Sequence, residues 1–274
     1  MPNRVPSSIR QAFTVTKFEL LNYVRSRRFI IMLGIGIIVG ALLTLLVGHY
    51  RPSGFLASSI DFYSSWWGIS ATYIVILSGI FFGGDAISGE FQNKTGYFIV
   101  GNPIRRSSIY AGKWLAAFVA SFIVLIVFLG ITVLNNFYYF GLNLPYQFLE
   151  SFLFTLLYLI SVLGLTFFFS SLFKSSSVAI LTTVVLMLFA FSLIQELIDA
   201  FVHVEPWFLI TYGAGIIGNI LTVPYPSHIL TTHFGHVVVT SYAVTVPEGI
   251  AILVAYFAVT VILGLVLFER KEFN

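Results

Sequence analysis

The sequence predicts an all-α integral membrane protein with six transmembrane helices and both termini in the cytoplasm. Three observations predict it. The 274 residues are 58% hydrophobic and 9% charged, with mean hydropathy +0.96; soluble domains run at about 45–50% apolar and about 25% charged. Six apolar runs reach the roughly 20 residues needed to cross ~30 Å of hydrocarbon. Thirteen of the fourteen Lys and Arg residues fall on one side of those runs. This composition excludes an ordinary soluble globular protein and a disordered chain. Cysteine is absent, which removes disulfides, thiolate metal sites and cysteine nucleophiles.

The elements follow in order. Residues 5–28 read as an amphipathic helix within a cytoplasmic unit 1–28. Ile9, Ala12, Phe13, Thr16, Leu20, Tyr23 and Val24 share one face at helical spacing, with Arg10, Lys17 and Arg25 opposite. The face is expected to lie in the headgroup layer. Val15, Phe18 and Leu21 then point away from the membrane, as candidate partner contacts.

A six-helix unit, 29–274, follows, with spans at 29–48, 66–84, 114–134, 148–169, 177–198 and 248–268. The first is read as an uncleaved helix rather than a signal peptide, because a long polar segment precedes a full-length span. Trp66, Trp67, Trp114, Tyr50 and Tyr63 stand at span ends and are expected at the membrane interface. The basic residues orient the chain. Arg4, Arg10, Lys17, Arg25, Arg27 and Arg28 precede the first span, and Lys94, Arg105, Arg106 and Lys113 lie between spans two and three. Lys174, Arg270 and Lys271 complete that side, and Arg51 alone is on the other. Such asymmetry places the basic side in the cytoplasm.

The outer segment 199–247 is the longest connection. Within it, 207–223 is apolar but glycine-broken, and reads as a re-entrant or interfacial hairpin. Residues 237–246 alternate like a strand. Pro247 and Glu248 suit the first turn of the last helix.

The span centres carry essentially no ionisable residues, which argues against a proton- or ion-driven carrier. No phosphate loop is present: Gly112-Lys113-Trp114 lacks the earlier glycine and the Ser or Thr. Transport by this chain therefore calls for an external motor.

The loop between spans two and three mixes small, apolar and charged residues: Asp85, Ile87, Glu90, Phe91, Thr95, Gly96 and Tyr97, then Pro103, Ile104, Arg105, Arg106, Gly112 and Lys113. Asp85 and Glu90 have a plain structural reading as partners of nearby Arg and Lys. The ordered pattern of these residues resembles the permease subunits of the type 2 ABC transporter family. The run from Phe18 to Phe29 and the ending Leu267-Phe268-Glu269-Arg270-Lys271 are similar too.

The resemblance implies a non-catalytic permease that pairs with a second permease subunit, an identical copy in the simplest case, and with a separately encoded ABC ATP-binding subunit. ATP and Mg would sit on that partner, with no cofactor on this chain. It implies a connecting helix at about 8–25, including Val15, Phe18, Leu21 and Arg25, and a coupling helix at about 85–100. The ATPase-docking residues would be Asp85, Ile87, Glu90, Phe91, Thr95, Gly96 and Tyr97. Substrate would move outwards across the cell membrane, between permeases, with span two and the outer part of span five at their interface.

Two other functions stay open: a membrane scaffold without transport, and an intramembrane hydrolase using outer histidines and acids. His49, His203, His228, His233 and His236 all fall outside. His233-x-x-His236 with Glu196, Asp199 or Glu205 would make a zinc set, but the spacing is not H-E-x-x-H. They are read as ordinary surface residues, and no metal is assigned. The basic residues hug the membrane, so no nucleic-acid partner is expected.

Overall fold

The computed structural model describes residues 7–93, 104–202, 204–234 and 237–271. Helix α1 spans Ser8–Arg25, and Ser7 caps it by accepting from the Arg10 N–H. Ser26 separates α1 from α2, Arg27–Tyr50. Its extended backbone breaks the helix, its hydroxyl donates to the Tyr23 carbonyl, and the same oxygen accepts from the Phe29 N–H. One serine therefore ends the amphipathic helix and begins the first long apolar one.

Arg51, in the left-handed region at φ 44°, and Pro52 end α2. The short α3, Ser53–Leu56, leads to α4, Ser59–Gly83. Ser58 caps α4 and donates to Asp61 at 2.6 Å, so this helix starts well before the expected 66. A turn precedes α5, Ser88–Gln92. Helix α6, Arg106–Phe140, has 35 residues. At 1.5 Å per residue it is about 52 Å long, well over the hydrocarbon thickness, so it projects beyond it. Helix α7 is Tyr146–Leu172, and α8 covers Ser176–Val202 with π-helical turns at Leu186–Ala190 and Ile198–Val202.

Two short helices, α9 (Ile210–Ala214) and α10 (Ile216–Asn219), occupy the glycine-broken stretch and pack against the long helices. Strands β1 (Ile229–Phe234) and β2 (Val237–Tyr242) form an antiparallel hairpin with Ile229 opposite Tyr242. Helix α11, Val246–Arg270, opens with a capping box between Thr245 and Glu248 and with Pro247 in its first turn.

Among the described residues, six helices are long and apolar enough to cross a membrane. Of their apolar stretches, 61% is buried in α4 and 56% in α7, against 17% in α8. α4 and α7 therefore form the centre, and α8 stands largely open. Small residues let the central helices close. A Cβ on Gly79 would stand 2.6 Å from Val162, and one on Gly164 2.6 Å from the Thr260 hydroxyl. Ser161 donates to the Leu253 carbonyl and Ser151 to the Ile217 carbonyl, so buried hydroxyls tie α7 to α11 and α10.

The structure corrects the aromatic expectation. Tyr63, Trp66 and Trp67 are fully buried. Tyr63 stacks on Phe148 with centroids 3.8 Å apart, and Trp67 stacks on Phe128. They face α6 and α7 because α4 is central and has little lipid-facing side. Tyr50 is exposed.

Candidate functional site

The basic ends of the long helices converge on one junction. Gly112 of α6 lets α1 approach: a Cβ there would stand 2.7 Å from both the Ala12 carbonyl oxygen and the Val15 side chain. Thr16 closes the contact by donating to the Gly112 carbonyl. Ser108 donates to the Ser8 carbonyl, and the Arg105 N–H donates to Gln11. α1 is thus a packed part of the bundle. This splits the expected lipid-facing stripe. Ala12, Thr16, Leu20 and Tyr23 turn at least partly inward, while Ile9, Phe13 and Val24 are exposed.

Next to Gly112, Lys113 is almost completely buried, its side chain 5% exposed. Its ammonium meets Glu19 of α1 at 2.6 Å and Glu90 of α5 at 2.7 Å. Burial of a charge is tolerated only with such partners. One cation thereby joins three segments that are remote in sequence. Asp85 pairs with Arg28 at 2.6 Å, tying the loop to the start of α2. Tyr23 donates to the Phe82 carbonyl at 2.7 Å. Burial, and secondarily the carboxylates of Glu19 and Asp85, push its phenol well above the ordinary range, so it remains a neutral donor.

Ser170 of α7 supplies the missing acceptor at the start of α5, taking bonds from the Ile87 and Ser88 N–H groups. Gln92 accepts from the Ser176 N–H at the start of α8. Phe91 packs edge-on against Phe268, with the Lys271 ammonium 4.4 Å from its ring centre. Lys271 also donates to the Ser171 and Phe173 carbonyls, and Arg106 donates to the Phe268, Glu269 and Lys271 carbonyls. The loop therefore rests on α1, α6, α7, α8 and α11 together.

The expected docking residues now have places. Asp85 and Glu90 are in ion pairs within the chain, and Phe91 is half-buried. Ile87 is fully buried and Val15 is packed on Gly112. Ile87 therefore offers no outward surface, a correction, while Val15 is half-buried against α6 and only part of it faces outward. Phe18, 61% exposed, Leu21, 41% exposed, and Arg25 remain on the surface. Thr95, Gly96 and Tyr97 lie outside the described residues. The described loop helix covers only Ser88–Gln92 of the expected 85–100.

A second feature lies on the open flank of α4 and α8. A groove of about 460 Å³ is lined by Ser64, Gly68, Thr72, Tyr73, Met187 and Ser192, with Thr211 and Gly215 of the short-helix segment. The π-turns of α8 bracket its Ser192 side; such turns occur often at functional sites. Neither they nor the groove were legible in the sequence, since both depend on packing.

Of the histidines expected outside, His49 is exposed near the end of α2 and His228 precedes β1. His203 and His236 lie outside the described residues, and for His233 only the strand pairing is described. The described cluster of potential ligands is Glu205, His228 and Glu248. Only Glu205 of the expected zinc set belongs to it.

Six membrane-length helices, a packed amphipathic helix and a braced loop define a multi-pass helical membrane protein with a built surface at its basic end. The family described as ABC-2 family transporter protein matches residues 13–273, and the chain belongs to it. It is accordingly a permease, the membrane component of an ABC transporter, and the family implies an ABC ATP-binding subunit as its partner. No curated protein matches the chain.

Proposed function

We propose that this chain is the membrane half of an ATP-driven exporter in the cell membrane, with its basic end and both termini in the cytoplasm. Two copies pair, and each carries an ATP-binding subunit that holds ATP and Mg. The chain itself catalyses no reaction. Phe18, Leu21, Arg25 and the loop beyond Gln92 receive that subunit.

The observation that carries this reading is the Lys113 junction. An ATPase moves membrane helices only through contacts that differ between its states. Lys113 binds α1 and α5 to α6, so a displacement of either is passed to a span that crosses the membrane. The open face of α8 and the groove beside α4 supply the surface for a second copy. The groove's mixture of small hydroxyls and apolar side chains suits an amphipathic cargo such as a lipid or peptide.

The test is purification in mild detergent after crosslinking in intact membranes, with mass spectrometry of bound proteins. The expected result is a stoichiometric partner carrying a phosphate loop and a mass requiring two permeases. Glu90→Ala is expected to weaken that association or to uncouple transport. A chain recovered alone, or with a partner lacking a phosphate loop, would instead favour a scaffold without transport.

A further inference from the structure

We propose that Glu205, His228 and Glu248 form a site for one divalent transition-metal ion of the zinc type. The three come from separate parts of the chain. Glu205 lies in the connection after α8, His228 immediately precedes β1, and Glu248 is in the first turn of α11. One ligand atom from each lies within 4.8 Å of the others.

The geometry favours a metal over simple hydrogen bonding. His228 Nε2 stands 3.6 Å from a Glu205 carboxylate oxygen. That is long for a hydrogen bond. It is close to the ~3.4 Å edge of a tetrahedron with metal–ligand bonds of about 2.1 Å. His228 Nδ1 lies 3.0 Å from the Ala243 carbonyl oxygen. A carbonyl only accepts, so Nδ1 carries a proton, and in the neutral ring Nε2 presents its lone pair. That lone pair faces a carboxylate, with a second carboxylate beside it. Three acceptors converge where a cation would satisfy all of them.

Each ligand is also braced from outside, as metal ligands are. Tyr212 donates to Glu205 Oε1 at 2.6 Å. The His228 ring is held by Ala243, whose N–H also binds the His228 carbonyl. Glu248 accepts from the Thr245 N–H and hydroxyl. The side chains of His228 and Glu205 are 39% and 26% exposed, which leaves a route for the ion and room for water as a fourth ligand. Imidazole with carboxylates suits zinc better than calcium or magnesium, which prefer oxygen ligands alone. A bound ion would pin the segment carrying α9 to the start of α11. Tyr212 of this site adjoins Thr211, which lines the groove.

The test uses the full-length chain in detergent, stripped with chelator and titrated with zinc chloride, with metal analysis and calorimetry. One zinc per chain and a raised unfolding temperature are expected. His228→Ala and Glu205→Gln should each abolish this binding. The glutamine retains the volume and an acceptor for Tyr212, so it guards against a folding defect. Tyr212→Phe should weaken zinc affinity about 10–100-fold as a positioning change. His49→Ala, at the far end of α2, should retain the ion. Absence of stoichiometric zinc, or full binding by both His228→Ala and Glu205→Gln, would overturn the proposal. Neither result depends on transport or on the ATP-binding partner.

Discussion

Replacing Lys113 by methionine removes the cation of the junction while keeping much of its volume. The side chain is 5% exposed, and its partners Glu19 and Glu90 are 20% and 16% exposed. The wild-type triad has two charge-assisted contacts, at 2.6 and 2.7 Å. Without the ammonium, two largely buried carboxylates face one another uncompensated. Removing one member of a buried ionic group costs about 3–5 kcal/mol. At 1.4 kcal/mol per factor of ten, local opening of α1 should rise by roughly two to three and a half orders of magnitude. Glu19→Gln should cost less, about 1–2 kcal/mol, because Lys113 keeps Glu90 and the amide still accepts a hydrogen bond. The triple variant Glu19→Gln, Lys113→Met, Glu90→Gln should recover much of the loss, since no charge then stays buried. Hydrogen exchange of the α1 amides in the detergent-solubilised full chain reads these opening energies directly. Protection in Lys113→Met no weaker than in Glu19→Gln would refute the reasoning, for it would mean that the ammonium does not hold the three segments together.

Two further outcomes follow from the same end of the molecule. Gly112→Val places methyl groups where even a Cβ meets the α1 backbone at 2.7 Å, and should loosen α1 by about 1–3 kcal/mol. Limited proteolysis should then cut faster at Lys17 and Arg25, and an unchanged cleavage rate would contradict the close approach. Burial, reinforced by Lys174, lowers the pKa of Lys271 from 10.5 to about 8. Above pH 8 the unfolded chain holds a proton that the folded chain has shed, so stability from this group rises with pH up to about 10.4. Unfolding curves of wild type and Lys271→Met at pH 7 and 9.5 should show the wild type gaining on the variant, and parallel shifts would exclude the lowered pKa.

The spans were legible because the signal for them is local: about 20 apolar residues suffice, whatever they later touch. Pro247 and Glu248 marked the start of the last helix for the same reason, since caps act within one turn, whereas the break at Ser26 inside the expected 5–28 helix appeared only in the structure. The hairpin was half legible. The alternation of 237–246 indicated a strand, whereas Ile229–Phe234 declared itself only as its partner. Trp66 and Trp67 misled, because an aromatic near a span end reads the same whether it meets headgroups or a neighbouring helix. Ile87 misled similarly, and Val15 was half legible: apolar side chains in a polar setting mark a contact without saying whether it lies within the chain or with another protein.

The sequence by itself determined a polytopic helical protein, its family pattern and the crowding of basic residues at one end. Only the tertiary structure decided which carboxylates share Lys113, which helices are central and which lie open, and which histidine meets Glu205 and Glu248. The division has a physical cause. Hydrophobic periodicity and capping act over a few neighbouring residues, and so can be read along the chain. Ion pairs, grooves and ligand sets join residues from about 20 to about 160 positions apart, as Lys113–Glu90, Lys113–Glu19 and Arg106–Phe268 do, and their geometry exists only after the helices have packed.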